Sequence, residues 1–250
     1  MRVVRTVAEM KAARAANTGL VPTMGALHAG HVSLLDAARR ENDHVVVSLF
    51  VNQAQFSSAA EFARYPRDEQ RDLDLAERAG VDIVFAPAAE ELYPPDFRTW
   101  VDPDEHGLEA AFRPGHFTAV ATVCLKLFNI ARPRLAYFGQ KDAQQVEVVR
   151  RVIRDLDLDV ELRVLPTVRD ADGLALSSRN ALLTPRQRDR ALALPRALET
   201  RDAARARELL NGIDVDYVEV ADFEPRVLAG AIRLGSVRLI DNVPLEGEDE

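Results

Sequence analysis

The chain has 250 residues, of which 47% are hydrophobic and 29% are charged, and its net charge is −8. This composition is typical of a globular protein, the acidic balance disfavours nucleic-acid binding, and a single cysteine, Cys124, excludes an internal disulfide. Since no apolar run approaches the roughly 20 residues that cross a bilayer and no signal-peptide pattern opens the chain, we expect a cytoplasmic protein without membrane contact.

Short apolar runs alternate with helical patterns through the first two thirds of the chain. The continuously apolar run 45–51 is typical of a central parallel strand covered on both faces. The predicted elements are, in chain order, strand 20–22, helix 30–40, strand 45–51, helix 68–79, strand 81–85, helix 117–131, strand 135–138, helix 143–156 and strand 160–165. This alternation predicts an α/β protein with a Rossmann-like, doubly wound parallel sheet, whose ligands bind beyond the carboxyl ends of the strands.

The pattern changes after Pro166. A turn is expected at 172–173 between two short extended pieces. Thr184 is a candidate helix cap, and Pro195 is expected to kink or end the helix that follows. Three short strands are predicted near the end of the chain, at 217–220, 231–234 and 237–240. We therefore predict a Rossmann-like domain over 1–166 and a smaller C-terminal α+β domain over 167–250.

The segment 22–31, PTMGALHAGH, joins the first long strand to the first long helix. His28 and His31, in a His-x-Gly-His spacing at a helix start beside free backbone N–H groups, favour a phosphate site. Gly25 and Gly30 would let the backbone approach a nucleotide closely. The alternative is a helix cap with two surface histidines, and we favour the phosphate site.

Polar side chains also follow the apolar strand 45–51. Asn52 and Gln55 come at its carboxyl end, where neutral amides suit a substrate with hydroxyl and carboxylate groups. The alternative is an ordinary polar loop, and the residues alone do not decide between the two.

A second strand-to-helix turn lies at 137–145, YFGQKDAQQ. Lys141 can neutralise a polyphosphate, and Asp142 can orient Lys141, approach a metal or simply cap the helix. Gln145 follows Lys141 by one helical turn and can face the same ligand.

Three consecutive polar residues follow the predicted turn at 172–173. Ser177, Ser178 and Arg179 form a compact anion clamp, which the second domain would carry when it closes over a nucleotide as a lid. The alternative is a turn with a solvated arginine. His116 either caps a helix or lines the site.

Together these segments resemble the pantoate–β-alanine ligases of the HxGH nucleotidyltransferase superfamily. The motifs TMGALHAGH, FVNQAQF, ARYPRD, RPGHF, FGQKDAQQ and DGLALSSRN occur in the family's order from Val3 to Asn180, and the resemblance returns at 238–242. It implies ATP-dependent joining of pantoate to β-alanine through a pantoyl-adenylate, with AMP and pyrophosphate released. It also implies magnesium with ATP and a homodimer.

The resemblance assigns roles to individual residues. His31, as proton donor, His28 and Lys141 would act in catalysis. Gln55 would contact pantoate and β-alanine, Gln145 pantoate, and Asn52 β-alanine. The residues expected to contact ATP are Met24, Gly25, Ala26, Leu27, His28, Ala29, Gly30, His31, Gly139, Gln140, Lys141, Asp142, Val168, Leu176, Ser177, Ser178 and Arg179.

The chain also departs from the family pattern. Gln53 and Ala54 stand where the family usually has Pro-Met, Gln140 where it has Glu, and Ala110 where it has Gly. The second domain is expected to be shorter than usual. Two other functions stay open, namely a different nucleotidyltransferase of the superfamily, whose product keeps the nucleotide, and a degenerate protein that binds ATP without turnover.

Overall fold

The computed structural model describes residues 1–245, whose strands form two sheets. The strands of the larger sheet are β1 (Arg2–Val4), β2 (Thr18–Thr23), β3 (His44–Leu49), β4 (Ile83–Phe85), β5 (Leu135–Gly139) and β6 (Glu161–Leu165). Their order is β1-β4-β3-β2-β5-β6, and the pairings of β1 with β4, β4 with β3, β3 with β2 and β2 with β5 are parallel. The smaller sheet is antiparallel and consists of β7 (Asp214–Ala221), β8 (Val227–Leu234) and β9 (Val237–Pro244).

Helices connect the strands of the larger sheet and precede those of the smaller one. They are α1 (Val7–Ala12), α2 (Ala29–Glu41), α3 (Ala59–Arg64), α4 (Glu69–Arg78), α5 (Ala89–Leu92), α6 (Leu108–Phe112), α7 (His116–Ala131), α8 (Ala143–Asp155), α9 (Pro185–Ala191), α10 (Ala193–Leu198) and α11 (Ala203–Leu209). The α/β class, the parallel sheet and the small C-terminal antiparallel sheet with helices are therefore confirmed. No helix within residues 1–245 is long and apolar enough to span a membrane.

The strand order places a topological switch point at β2. From β2 the chain moves outward through β3 to β4 on one side, and β5 pairs with β2 on the other. Val45 and Val47 of β3 and Val21 of β2 are completely buried, which confirms β3 as an interior strand. In such sheets the carboxyl ends of the strands beside the switch point lead into ligand-binding turns. The segments that follow β2 and β5 are therefore the candidates for ligand binding.

Some boundaries differ from the sequence prediction. β3 ends at Leu49 rather than at Val51, so Asn52 follows the strand by three residues. Thr184 caps α9 and Gln187 completes the capping box, as expected. The helix ends at Ala191, four residues before Pro195, because a proline ring clashes with the carbonyl four positions earlier. Pro195 itself lies in the first turn of the next helix, α10.

The chain divides into two compact units. The first contains 1–138 and 148–165, and the second contains 139–147 and 166–250. The second unit therefore begins its long segment at Pro166 and also includes 139–147, which the sequence-based boundary placed in the first domain. Its core is formed by α10 side chains such as Leu194 and Leu198 together with residues of the antiparallel sheet.

Candidate active site

The segment 24–31 after β2, hereafter the first turn, is organised around the two histidines. The backbone N–H of Gly30 donates to Nδ1 of His28 at 3.2 Å, and the N–H of His28 donates to Nδ1 of His31 at 3.3 Å. The two side chains thus form a reciprocal cap at the start of α2, and their ring centroids lie 4.1 Å apart. The capping interpretation is therefore confirmed.

These contacts define the state of the two imidazoles. Because each Nδ1 accepts a backbone N–H, a neutral ring carries its proton on Nε2. Both rings are partly exposed. In each imidazole, Nδ1 is held by a backbone N–H group.

Most of the backbone N–H groups that we expected to be free in the first turn are engaged in hydrogen bonds. Gly25 N–H donates to Thr23 Oγ1 at 3.1 Å, and those of Ala26 and Leu27 donate to the Asp72 carboxylate at 2.8 and 2.7 Å. The N–H groups of His28 and Gly30 are engaged as well. The backbone of this turn therefore does not present a series of unpaired N–H groups to an anion. Sequence spacing could not show this, because Asp72 is 45 or more residues away along the chain.

The residues of the first turn differ in their exposure to solvent. Gly25 and Leu27 are buried, Ala29 is exposed, and the remaining members are intermediate: Met24, Ala26, His28, Gly30 and His31.

Asn52 and Gln55 lie in and next to a short 3-10 turn, Gln53–Gln55, and both are buried. Asn52 Nδ2 donates to the Ala119 carbonyl at 3.3 Å, whereas its Oδ1 has no hydrogen-bond partner among the described residues. The buried Tyr93 hydroxyl likewise has no partner within hydrogen-bond distance in the described part of the chain. Burial raises the Tyr93 pKa, and the Asn52 side chain is close enough to the hydroxyl to lower that pKa in part. Gln53 and Ala54, which depart from the family pattern, are exposed.

Gln55 is fixed through its backbone by the segment that begins α7. Its carbonyl accepts from Arg113 Nη2 and from His116 Nδ1, each at 3.0 Å. Because His116 donates from Nδ1, its Nε2 accepts from Arg113 Nη1 at 3.2 Å. Arg113 also lies 3.7 Å from the buried carboxylate of Glu109. His116 is the first residue of α7, but the cap residue is Gly115 and no side chain makes a cap hydrogen bond, so the capping role is wrong. The His116 ring instead contacts Gln55, a candidate substrate-binding residue.

The segment 139–142 after β5, hereafter the second turn, belongs to the second unit. Asn242 of β9 donates from Nδ2 to the carbonyls of Gln140 and Lys141, both at 2.9 Å. Gln140 is buried and donates from Nε2 to Asn242 Oδ1 at 3.4 Å, a contact that a glutamate could not make while ionised. Lys141 Nζ lies 3.8 Å from the half-exposed Asp142 carboxylate. Gln145 follows in the first turn of α8 and is partly buried.

A small hairpin in the same unit precedes the serine–arginine segment 177–179 and holds it in position. Leu176 N–H donates to the Val168 carbonyl at 2.9 Å, and Gly173 at φ +93° allows the predicted turn at 172–173. Ser177 Oγ accepts the N–H of Arg179 at 3.2 Å and so caps the 3-10 turn Ser178–Leu182. The Ser177 O–H can still donate, which keeps the segment suitable for an anion.

The described residues contain no group of three or more His, Cys, Asp or Glu side chains arranged around a metal ion. Magnesium that arrives with ATP takes much of its coordination from phosphates and water and needs only one or two carboxylates. Asp142, which is half-exposed beside Lys141, is such a carboxylate. The side chains present therefore fit a cation carried by the nucleotide.

A profile of the family described as Pantoate-beta-alanine ligase matches residues 2–244. The chain belongs to this family. The pantothenate synthetase of Roseiflexus castenholzii is 50% identical over 277 aligned positions, which cover 98% of this chain and 100% of the relative. That of Heliobacterium modesticaldum is 48% identical, with the same coverage of both chains. Since the 277 aligned positions exceed the 250 residues here, this ligase-family chain lacks residues that the Roseiflexus relative contains.

Solved structures of ligase-family members share the fold. Pantothenate synthetase from Thermus thermophilus matches with a TM-score of 0.94 at 43% identity and covers 99% of this chain and 100% of that chain. The ligase from Francisella tularensis, described as complexed with βγ-ATP and β-alanine, matches with a TM-score of 0.89 at 33% identity and covers 99% and 98%.

Sequence reasoning assigned no role to three residues that hold the candidate site of this ligase-family chain in place, although Arg113 and Asn242 lie in segments that carry the resemblance. Asp72 contacts the first turn, Arg113 contacts Gln55, and Asn242 contacts the second turn. One signal for Asp72 is present in the sequence, because it stands one helical turn before Ala76 on the inner face of the predicted helix 68–79. A carboxylate on an apolar face usually has a specific partner.

Proposed function

We propose that this chain condenses (R)-pantoate with β-alanine at the expense of ATP, through a pantoyl-adenylate, and releases AMP and pyrophosphate. The observation that carries the proposal is the histidine pair at the start of α2, where each Nδ1 accepts a backbone N–H and the two ring centroids lie 4.1 Å apart. Family membership and the named activity of its relatives support the same reaction.

In the first half-reaction, a pantoate carboxylate oxygen attacks the α-phosphorus of ATP in line and pyrophosphate leaves. His28 and His31 would donate hydrogen bonds to phosphate oxygens as charge develops on them, and Lys141 would neutralise the polyphosphate. The other ATP contacts would come from the remaining residues of the two turns and from Val168, Leu176, Ser177, Ser178 and Arg179. Preorganised donors of this kind typically contribute about 10²- to 10³-fold each to the rate.

In the second half-reaction, the amine of β-alanine attacks the acyl carbonyl, the bond from that carbon to the AMP oxygen breaks, and the amine loses a proton. Gln55 would contact both substrates, Gln145 pantoate, and Asn52 the ammonium or amine of β-alanine. No covalent bond to the protein is needed.

Magnesium, a homodimeric state and a cytoplasmic location complete the proposal. Magnesium bound to the ATP phosphates would offset their charge, and Asp142 is the side chain that would approach it. Chelation with EDTA is expected to stop turnover, and excess Mg²⁺ to restore it. Sedimentation equilibrium is expected to give twice the 27.7 kDa chain mass.

The deciding experiment is pantoate-dependent exchange of labelled pyrophosphate into ATP, with magnesium and without β-alanine. We expect exchange, followed by stoichiometric AMP and pantothenate when β-alanine is added. Release of pyrophosphate with a stable nucleotidylated product would instead identify another nucleotidyltransferase. ATP binding with no exchange at all would identify a degenerate binding protein.

A further inference from the structure

Asp72 is a buried carboxylate that none of the roles assigned above uses. It lies on α4, and only 3% of its surface is exposed. Ala76, one helical turn later, is completely buried, so this face of α4 packs into the protein. Burial raises the Asp72 pKa above its usual value despite two backbone hydrogen bonds that lower it. Because an apolar residue would fill such a position at lower cost, a carboxylate here indicates a specific task.

The task is visible in its contacts with the first turn. Oδ2 accepts the N–H of Ala26 at 2.8 Å, and Oδ1 accepts the N–H of Leu27 at 2.7 Å. Both carboxylate oxygens are therefore committed to two consecutive amides. The two bonds fix the orientation of the 25–26 and 26–27 peptide planes, one residue before His28, which caps α2.

The backbone of the first turn has an unfavourable conformation that these hydrogen bonds stabilise. Ala26 has φ +52°, in the left-handed region that side chains with a Cβ rarely occupy. Gly25 has φ +78°, and a Cβ added there would lie 2.8 Å from Asp72 Oδ2. The turn thus fits against the carboxylate so closely that residue 25 has no room for a side chain.

We propose that Asp72 is a positioning residue for adenylation, which holds the first turn so that the Nε2 atoms of His28 and His31 face the phosphates. This inference rests on the proposed function. It predicts that the Asp72 carboxylate affects the use of ATP far more than the binding of pantoate.

The test is Asp72→Asn, which retains one acceptor but sets an NH₂ group against one of the two N–H donors. In the pyrophosphate-exchange assay we expect kcat/KM for ATP to fall about 10- to 100-fold, as displacements of about 1 Å do in active sites. KM for pantoate should stay within about twofold of the original. Asp74→Asn is the matched control, because Asp74 lies on the exposed face of the same helix and bonds only to Gln70 among the described residues.

A rescue experiment separates positioning from a general packing role. Glycine adopts the left-handed conformation without the penalty that alanine meets. In the Asp72→Asn background, Ala26→Gly is therefore expected to restore several-fold of the lost kcat/KM for ATP. A carboxylate needed only to pack α4 would give no recovery.

The outcomes are distinguishable. Absence of exchange by the unmodified protein overturns the proposed function and this inference with it. Normal exchange by the unmodified protein, with Asp72→Asn within twofold of it, overturns the inference alone. If circular dichroism shows that Asp72→Asn does not fold, Asp72→Glu keeps the charge but displaces the oxygens by one methylene. Undiminished kcat/KM for ATP in a folded Asp72→Glu protein likewise overturns the inference.

Discussion

The two turns that carry the candidate catalytic residues are held in opposite ways. In the first turn, Asp72 accepts hydrogen bonds from the backbone N–H groups of Ala26 and Leu27. In the second turn, Asn242 donates hydrogen bonds to the carbonyls of Gln140 and Lys141. One residue presents acceptors to the backbone and the other presents donors, and each comes from a distant part of the chain.

These two arrangements have different consequences for the binding of an anionic substrate. Because the N–H groups from Gly25 to His28 and that of Gly30 are occupied, the proposed phosphate contacts of the first turn would come from the side chains of His28 and His31. A turn whose carbonyls are occupied no longer directs those oxygens at a phosphate, which favours the approach of a polyanion to Lys141. In both turns, a side chain from a distant part of the chain satisfies two backbone groups.

Two substitutions of His31 distinguish the roles of its two ring nitrogens, and one of them is predicted to cause the greatest loss of activity. Asn places an acceptor near the position of Nδ1 but lacks Nε2, so His31→Asn should keep the cap and lose about 10²- to 10³-fold in pyrophosphate exchange. Gln reaches the Nε2 position but gives up the cap acceptor, so His31→Gln should lower the melting temperature more and the exchange rate less. Exchange kinetics and thermal melts on both variants test this, and equal losses of activity would show that Nε2 has no separate role.

The next effect concerns the second turn. Lys141→Met keeps the aliphatic length and removes the charge, so we expect about a 10²-fold loss in exchange with little change in stability, by the magnitude typical of groups that stabilise developing charge. Lys11→Met on the exposed side of α1 is the control for loss of one positive charge. Similar activity in the two variants would remove Lys141 from the mechanism.

A smaller loss of activity is expected from changing Asn242, which holds the second turn through two hydrogen bonds. Asn242→Asp sets a carboxylate oxygen against the carbonyls of Gln140 and Lys141, so each loses its donor. We expect an approximately tenfold fall in exchange, because a buried and a partly buried carbonyl left unpaired would displace the turn that carries Lys141. Asn211→Asp, at an exposed position, adds the same charge without that contact. Equal rates of pyrophosphate exchange in the two variants would show that Asn242 has no role in positioning the second turn.

The smallest effect on activity is expected from a carboxylate that braces neither turn. Burial raises the pKa of Asp216, but hydrogen bonds and charge from Arg233 and Arg238 outweigh it and hold the pKa below its usual value. Its stabilisation is therefore present above the unfolded-state pKa of about 3.9 and is lost as the pH falls through the lower folded-state value.

Asp216→Asn should accordingly lower the free energy of unfolding by about 1–3 kcal/mol at pH 7, with exchange per folded molecule unchanged. The difference from the unmodified protein should shrink toward zero below about pH 4. Urea unfolding at several pH values measures it. A difference that persists at low pH would show that the carboxylate's charge is not responsible.

The sequence predicts the parts of this protein that are encoded locally. The apolar run at β3, the periodicity of α7 and the capping box at Thr184 each act within a few residues, and each is found in the structure. The short elements β1, α3 and α6 were missed, since three to six residues are too few for a period to emerge. The supports of the candidate site escaped for a different reason, because Asp72 and Asn242 act across 45 and 101 residues.

The second compact unit is discontinuous in the chain, since 139–147 groups with 166–250. A fragment that starts at Pro166 would therefore lack Gln140 and Lys141, whose carbonyls Asn242 contacts. The amide of Asn242 would then be left without these two acceptors on the β9 surface. No single cut in the chain yields this unit whole, so an autonomous version requires grafting 139–147 onto the fragment or rearranging the order of its segments.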